Sequence, residues 1–256
     1  MSNDNKEKTF AVSEIFTSPQ GEGVWSGTMM TFIRLAGCTV GKRYSAERYK
    51  SREEQTFVGL EEMPPEFPIY TEECTLYDGR KFACDTDYRK KESLTVEAIV
   101  ARVSEGVEHV CISGGEPMMH DLVPLIRALW GVMRPHGTTV HIETSGTINA
   151  AKALGLYCER RNGVWITVSP KFGCLPEMIE RADEIKLLVD KNFDPEKLPT
   201  GVLGHDTVYL QPVNGEHTVN VENLKLCMKW QREFPQWRVS LQLHKVLEHF
   251  VEERVR

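Results

Sequence analysis

The sequence predicts an α/β protein built around a mostly parallel sheet. From residue 93 onward, short apolar segments alternate with segments whose apolar residues recur at helical spacing, as expected of repeated strand–helix units. In such sheets, functional side chains collect at the carboxyl ends of the strands. Six candidate motifs come directly after predicted strands and should therefore meet at one edge: Cys38, Ser113 to Pro117, Glu143 to Gly146, Ser169 to Lys171, Gln211 to Asn214 and His244.

Two strands precede the alternating region. Alternating apolar residues predict the first strand at Val12 to Phe16, and a second strand is predicted from Thr28 to Leu35. Between them lies the turn-rich loop Ser18 to Gly23.

The later elements follow from spacing and end signals. Thr95 is placed to cap a helix whose apolar residues run from Val96 to Val103, with Gly106 placed to end it, and Asp121 is placed to cap the next helix. Apolar runs predict strands at 107–112, 138–143, 164–168, 184–189 and 207–210, followed by a helix at 219–234 and a last strand at 237–243.

Residues 39–83 interrupt this pattern. They contain a stretch dense in charged residues and then a Pro-rich stretch from Met63 to Pro68. Because 45 residues is short for an independent core, we interpret the segment as an insertion within one domain spanning residues 1–256. A loop of this length is usually functional or partly disordered.

Composition excludes several classes of protein. The chain has 256 residues, of which 41% are hydrophobic and 27% charged, an ordinary globular balance. A formal net charge of −6 argues against a broad nucleic-acid footprint. No apolar run approaches the roughly 20 residues that span a bilayer, and no signal-peptide core follows the polar N-terminus. We therefore expect a cytoplasmic protein without a nucleic-acid or membrane partner.

Three of the seven cysteines are candidates for metal ligation. Cys38 and Cys84 lie in predicted loops, which favours ligation over packing, and Cys74 is the best-placed third thiolate. Three thiolates can hold three irons of a four-iron cluster and leave the fourth iron open to a cofactor. Structural zinc is the competing metal, but it usually requires four ligands at tighter spacing.

The other four cysteines have different interpretations. Cys111 lies in the middle of an apolar strand and should pack as a small hydrophobe, and Cys158 and Cys227 should also pack. Cys174 is an alternative cluster ligand because it is close in sequence to Lys171.

Polar residues near the predicted strand ends are candidates for ligand binding. The Gly-Gly-Glu-Pro turn at 114–117 lets the backbone approach a small polar ligand closely, although it also serves as an ordinary strand-to-helix turn. Arg34, on an apolar strand, needs a charged partner if it points inward, and a substrate carboxylate fits its guanidinium. Glu22 is either a turn residue or an acceptor for a ring N–H edge. His244 is either a site residue or an edge-strand histidine, and Lys171 is either a site residue or a surface cation.

The motifs resemble those of the radical S-adenosylmethionine (SAM) enzymes and, within them, the 7-carboxy-7-deazaguanine synthases. The Gly-Gly-Glu-Pro turn is shared by the superfamily, whereas the narrower resemblance rests on Gln20 to Gly23, Cys84 to Thr86 and the Gln-x-His-Lys segment ending at Lys245. Matching segments cover nearly the whole chain outside residues 39–83 and include Phe16 to Gly23, Phe32 to Cys38, Cys84 to Tyr88, Ile112 to Pro117, Glu143 to Thr147, Val168 to Lys171, Leu210 to Val213 and Leu241 to Lys245.

The resemblance implies a partial (β/α) TIM-like barrel, a homodimer, an external flavodoxin-like electron donor, and a 4Fe–4S cluster, SAM and Mg²⁺ as cofactors. The implied reaction converts the pterin 6-carboxy-5,6,7,8-tetrahydropterin into 7-carboxy-7-deazaguanine with release of ammonia, in queuosine and 7-deazapurine biosynthesis. The implied cluster ligands are Cys38, Cys74 and Cys84, and the implied magnesium ligand is Thr86. Residues implied to contact SAM are Gly114, Gly115, Glu116, Ser169, Lys171, Gln211 and Asn214. Residues implied to contact the pterin are Pro19, Gln20, Gly21, Glu22, Arg34, Ser113 and His244.

The chain departs from the family pattern in its cysteine loop. Superfamily members usually carry C-x3-C-x2-C, whereas here 35 and nine residues separate Cys38, Cys74 and Cys84, and Lys81 stands where the C-x2-C cysteine would be. Asn214 also stands where an acid is expected.

Two other functions stay open on the residues alone. A radical activating enzyme acting on a partner protein would share the cysteines and the Gly-Gly-Glu-Pro turn, but it would not need Gln20 to Gly23, Arg34 and His244 around a carboxylated ring. A zinc-stabilised binding module would use the three cysteines and a histidine.

Overall fold

A computed structural model of the chain describes residues 8–40, 72–84, 91–133, 139–159, 163–215 and 218–247. The strands within these residues are β1 (Thr9–Pro19), β2 (Met29–Leu35), β3 (Glu72–Thr75), β4 (Lys81–Cys84), β5 (Glu92–Thr95), β6 (His109–Gly114), β7 (Thr139–Thr144), β8 (Val164–Val168), β9 (Glu184–Val189), β10 (Val208–Pro212) and β11 (Arg238–Val239). The α-helices are α1 (Val96–Val100), α2 (Val123–Met133), α3 (Ala150–Leu154), α4 (Pro176–Arg181) and α5 (Val221–Glu233). Short 3₁₀ turns lie at Pro117–Met119, Gly155–Cys158, Pro195–Lys197 and Val202–Gly204.

Nine strands form one sheet in the order β11-β10-β9-β8-β7-β6-β2-β1-β5. The neighbouring pairs from β2 to β11 are parallel, and β1 pairs antiparallel with β2 and β5. From β6 to β11, strands adjacent in sequence are adjacent in the sheet, as expected of successive strand–helix units. The predicted α/β class with a mostly parallel sheet is therefore confirmed. Strands β3 and β4 form a separate antiparallel hairpin.

The two faces of the large sheet differ in chemistry because side chains alternate along each strand. One face is aliphatic, with side chains such as Ile33, Ile112 and Ile142 fully buried in the main core that includes the helices. Each such side chain stabilises the fold by about 1.5–3 kcal/mol. The opposite face carries polar side chains, among them His141 and Lys186. The aliphatic face thus supplies stability and leaves the polar face available for chemistry.

The predicted helix cap at Thr95 is confirmed, because its Oγ1 accepts a hydrogen bond from Ala98 N at 3.2 Å. Asp121 lies one residue before the N-cap position of α2, since Leu122 O accepts the first helical bond, but its Oδ1 still accepts from Val123 N at 3.1 Å. Helix α1 ends at Val100, earlier than the predicted Val103, and turns follow it. An N-cap acceptor of this kind contributes about 1 kcal/mol.

The largest differences from the predicted elements lie at the two ends of the chain. Strand β1 is longer than predicted because it pairs on both sides, with β2 and with β5. The predicted last strand at 237–243 is wrong: β11 has two residues, and residues 243–247 are helical, so His244 is not on an edge strand. Beyond β11 the backbone turns toward the β1–β2 loop, where Leu243 N donates to Gly21 O at 3.1 Å. The predicted insertion ends in the β3–β4 hairpin, and its residues 41–71 lie outside the described residues.

The cysteines predicted to pack do so. Cys111 and Cys227 are fully buried, and Cys158 packs against the main core. Burial raises the pKa of the Cys111 thiol well above its ordinary value, which keeps it protonated. In the part of the chain that the structure describes, no helix is both long and apolar enough to cross a membrane.

Candidate active site

The Cys38 loop and the Gly-Gly-Glu-Pro turn lie against each other at the carboxyl ends of β2 and β6. Gly115 N donates to Leu35 O at 3.1 Å, and Glu116 N donates to Gly37 O at 2.8 Å. Gly114 has a φ of 127°, and a Cβ at this position would lie 2.1 Å from Leu35 O. Only glycine permits this approach of the two backbones, which explains the residue at 114.

The carboxylate of Glu116 is fully buried and surrounded by donors from the protein. It accepts hydrogen bonds from Thr144 Oγ1 at 2.7 Å, Ser145 N at 2.8 Å and Met118 N at 3.0 Å, and also from Ser145 Oγ. Glu116 therefore ties the turn after β6 to the loop after β7. Because these donors occupy the carboxylate, the contact with SAM predicted for Glu116 would be made by its backbone.

Lys171 follows β8 and is buried, so the interpretation of this residue as a surface cation is wrong. Its Nζ donates to Ser169 O at 3.0 Å and to Ser169 Oγ at 2.7 Å, and its backbone N donates to Ser145 O at 3.2 Å. The structure thus joins Ser169 and Lys171 to the loop after β7, beside the Gly-Gly-Glu-Pro turn.

The β3–β4 hairpin sits on this same edge of the large sheet. Leu76 forms a bridge with Lys171, and Phe172 N donates to Thr75 O at 3.1 Å. Lys171 Nζ lies 5.6 Å from the centroid of the Phe82 ring. The hairpin therefore covers the loop after β8.

The hairpin contains two of the predicted cluster cysteines. Cys74 is buried on β3 and pairs with Phe82, and Cys84 ends β4. The Cys84 side chain and Thr86 lie outside the described part of the chain. Across the described side chains, no group of three or more His, Cys, Asp or Glu is arranged to hold a metal ion.

Glu22 has its carboxylate fixed on the polar face of the sheet. One oxygen pairs with the Lys186 ammonium, and the other accepts from Gln211 Nε2 and Gln242 Nε2, each at 3.0 Å. Burial alone would raise the pKa of Glu22, but Lys186 and the two amides outweigh burial and hold this pKa below its ordinary value. Burial alone would lower the pKa of Lys186, but Glu22 and two nearby carboxylates raise it. Both groups are therefore charged at neutral pH.

The rest of the β1–β2 loop is held by β7, β9 and the residues after β11. Gln20 Nε2 donates to Glu143 Oε1 at 3.1 Å, Val24 N donates to Glu184 Oε2 at 2.7 Å, and Gly23 N donates to Ser240 Oγ at 2.9 Å.

His244 lies beside this loop. A Cβ on Gly21 would lie 3.3 Å from His244 Nδ1. The structure thus brings Gln20, Gly21, Glu22 and His244 together, and their binding of one ligand stays a prediction.

Arg34 has a protein partner in addition to any ligand. Its Nη1 lies 3.1 Å from Glu14 Oε1, its guanidinium carbon lies 5.7 Å from the centroid of the Phe16 ring, and 27% of its side chain is exposed. Ser113 is its register partner on β6. The predicted need for a counter-charge was correct, and Glu14 supplies one.

The start of the polar face is closed by aromatic rings. His109 Nδ1 and His141 Nε2 are 3.0 Å apart, and the Trp25 ring packs on both histidines and on Trp165. Burial, with a smaller effect from His109, lowers the pKa of His141 to about 3. Both histidines are therefore neutral, and together with the tryptophan rings they cover the start of the polar face.

Sequence reasoning missed several members of the site. Lys186 and Glu184 were not singled out, whereas Glu143 and Gln242 lie in motifs that were noted without a role for either residue. Lys186 had a usable signal, because a lone lysine within an apolar strand is almost never buried without a counter-charge. Asn214 was predicted, and its Nδ2 donates to Gln242 Oε1 at 3.2 Å, which links it to the same network.

The fold and this arrangement define a class: a mostly parallel α/β protein in which a cysteine loop and a Gly-Gly-Glu-Pro turn meet at the strand ends, as in the radical SAM enzymes. No family model matches the chain. It is 30% identical to the 7-carboxy-7-deazaguanine synthase of Escherichia coli (strain K12) over 250 residues, which cover 93% of this chain and 98% of the relative. It is also 30% identical to the 7-carboxy-7-deazaguanine synthase of Synechocystis sp. over 244 residues, which cover 93% of each chain.

A solved structure gives the same result. The crystal structure of QueE from Escherichia coli matches with a TM-score of 0.58 and 26% sequence identity, covering 92% of this chain and 95% of that one. The chain belongs to the 7-carboxy-7-deazaguanine synthase family. The resemblance found in its motifs is thereby confirmed.

Proposed function

We propose that the protein converts 6-carboxy-5,6,7,8-tetrahydropterin into 7-carboxy-7-deazaguanine and ammonia, in queuosine and 7-deazapurine biosynthesis. The observation that carries this proposal is the pair of backbone hydrogen bonds that holds the Cys38 loop against the Gly-Gly-Glu-Pro turn, at the carboxyl ends of the strands. Membership of the family supports the same reaction. The pterin contains the same atoms as the product plus ammonia, so the rearrangement needs no net oxidant.

Three cysteines would hold the 4Fe–4S cluster: Cys38, Cys74 and Cys84. Two observations support this assignment. Val40 N lies 3.4 Å from Cys38 Sγ and donates to it, as N–H groups do to cluster sulfurs. Cys74 and Cys84 belong to the one hairpin that lies over the loop after β8.

The SAM contacts would come from the turn after β6, the loop after β8 and the end of β10. Gln211 Oε1 supports this, because it is buried and has no hydrogen-bond partner among the described residues, which leaves an acceptor for a ligand. Gly114, Gly115, Glu116, Ser169, Lys171 and Asn214 complete the proposed set. These residues would hold SAM beside the cluster, and the two groups together would supply radical chemistry directed at C6 of the pterin.

The remaining site residues would orient the pterin and exclude water. Glu22 is held as a carboxylate and would accept from the ring N–H edge. Arg34 would bind the substrate carboxylate with the exposed part of its guanidinium. Pro19, Gln20, Gly21, Ser113 and His244 would line the ring. Mg²⁺ would be bound through Thr86.

We propose a partial barrel for the curvature of the sheet. Pro19 on β1 and Val239 on β11 lie seven strand spacings apart, about 34 Å across a flat sheet. The backbone spans at most about 7 Å from Pro19 to Gly21 and about 14 Å from Val239 to Leu243, yet Leu243 N donates to Gly21 O at 3.1 Å. A curved sheet accounts for this contact. We also propose a cytoplasmic homodimer that receives electrons from an external, flavodoxin-like donor.

The test is anaerobic reconstitution with iron and sulfide, followed by dithionite, SAM, Mg²⁺ and the carboxypterin. Mass spectrometry should detect carboxydeazaguanine, and Cys38→Ala, Cys74→Ala and Cys84→Ala should each abolish it. Cys158→Ala is the matched control, because this cysteine packs against the core and should leave both iron content and turnover unchanged.

Each alternative function has its own signature in the same experiment. Cleavage of SAM with an untouched pterin would favour an activating enzyme, and a colourless protein that contains zinc would favour a binding module.

A further inference from the structure

The hairpin that contains Cys74 and Cys84 has a buried ionic anchor of its own. Arg80 precedes β4, and its Nε lies 2.5 Å from Asp78 Oδ2, while its Nη1 lies 2.5 Å from Asp190 Oδ1. Arg80 N also donates to Asp78 Oδ1 at 3.2 Å. The side chains of Arg80 and Asp78 keep only 12% and 2% of their surface exposed. Ion pairs this shielded from water are screened far less by salt than surface pairs.

The anchor ends at a defined point of the large sheet. Asp190 directly follows β9, and its Oδ1 also accepts from Asn192 N at 2.8 Å, which fixes the carboxylate. The Arg80 guanidinium lies 5.8 Å from the centroid of the Phe193 ring, which belongs to the main core. Arg80 therefore connects the hairpin to the carboxyl end of β9.

A second attachment holds the other side of the hairpin. The Leu76–Lys171 bridge and the bond from Phe172 N to Thr75 O join it to the loop after β8. Cys74 lies two residues from Leu76, and Cys84 lies four residues from Arg80. Each cysteine is thus close in sequence to one of the two attachments.

We infer that Arg80, together with Asp78 and Asp190, is a positioning residue that fixes the hairpin so that its cysteines are held at the cluster site. This anchor takes the place of a short C-x3-C-x2-C loop, in which close spacing alone sets the positions of the ligands. The inference rests on the proposed function only in its assignment of Cys74 and Cys84 to the cluster.

The test is iron retention by Arg80→Gln and Asp190→Asn after anaerobic reconstitution, measured as iron per chain during titration with a chelator. Loss of a residue that orients metal ligands typically lowers metal affinity about 10- to 100-fold, and we expect about 10-fold here. Arg80→Lys should retain an intermediate amount, because lysine keeps the charge but cannot donate to two carboxylates in a fixed fork. Arg102→Gln is the matched control: it breaks an exposed arginine–glutamate pair with Glu92, and iron should be retained as in the wild type.

A second measurement separates positioning from a general loss of folding. The metal-free variants should keep the wild-type far-UV circular dichroism. The double variant Arg80→Gln/Asp190→Asn should lose no more iron than Arg80→Gln alone, because that change already breaks the pairs with both Asp78 and Asp190. Wild-type iron retention in both single variants would overturn the inference, and so would losses that add in the double variant.

The two proposals can fail separately. A wild-type protein that holds the cluster but makes no deazaguanine would refute the proposed function and leave the anchor standing. Turnover by the wild type, with undiminished iron in Arg80→Gln, would refute the anchor alone.

Discussion

Replacing Lys186 by methionine should destabilise the metal-free protein by about 3 kcal/mol at pH 7. The side chains of Lys186 and Glu22 keep 12% and 14% of their surface exposed, so the change leaves a buried carboxylate without its counter-charge. Removing one partner of such a pair typically costs about 3–5 kcal/mol. The lower end applies here because Gln211 and Gln242 still donate to Glu22. Methionine keeps the length of the side chain, so loss of packing adds little.

The cost should depend on pH in a defined direction. In the wild type the pKa of Glu22 lies below its ordinary value, because Lys186 and the two amides outweigh burial. Without Lys186, burial should raise this pKa above the value in the unfolded chain. The penalty is then complete above the raised pKa and fades as the pH falls through it, since a protonated acid needs no counter-charge.

Urea denaturation of the wild type and Lys186→Met at pH 7 and pH 5 measures both effects. We expect a smaller difference at pH 5, and we expect Glu22→Gln/Lys186→Met to recover most of the lost stability at pH 7. A cost below about 1 kcal/mol at pH 7, or an equal cost at both pH values, would refute the reasoning.

Three further changes test other parts of the structure. Gly114→Ala should prevent folding, because its Cβ would lie 2.1 Å from Leu35 O. Gly27 also has a positive φ, but a Cβ there meets open space, so Gly27→Ala should cost only about 1 kcal/mol of stability. Comparable thermal melting of the two variants would contradict this reasoning. Burial lowers the pKa of His141 to about 3, below its unfolded value near 6.5, so stability should fall by up to about 3 kcal/mol from pH 7 to pH 4 as the unfolded chain takes up the proton. His141→Gln should flatten that dependence in urea denaturation, and an unchanged slope would refute the assignment. Thr95→Ala should lower the free energy of unfolding by about 1 kcal/mol, because Ala98 N loses its acceptor, and an unchanged denaturation midpoint would argue against the cap.

The sequence was most informative where a segment is defined by its own residues. The strands at 164–168 and 184–189 have the predicted bounds, because short, mostly apolar segments suit strands that are covered on both faces. The end of β11 was not predictable in the same way. The residues after it are held by contacts with residues far away in sequence, such as the bond from Leu243 N to Gly21 O.

The same distinction between contiguous motifs and distant contacts applies to the candidate site. Cys38 and the Gly-Gly-Glu-Pro turn were found because each motif is contiguous and follows a strand. Lys186 was missed, and Gln242 was given no role of its own, because these two partners of Glu22 become meaningful only once the β1–β2 loop lies across the sheet. The pairing of Arg80 with Asp190 could not be predicted from local sequence, because the two residues are 110 positions apart.

The bond from Gly23 N to Ser240 Oγ links residues that are 217 positions apart, and Glu22 with Gln242 spans 220. A chain synthesised from its N-terminus therefore exposes the β1–β2 loop long before the residues that secure it exist. Until the ribosome has released the segment around Ser240, Glu22 lacks one of its two amide donors and the loop lacks its last attachment. Attachment of the β1–β2 loop is thus a late event in biosynthesis, because the loop reaches its final position only after Ser240 and Gln242 have left the ribosome.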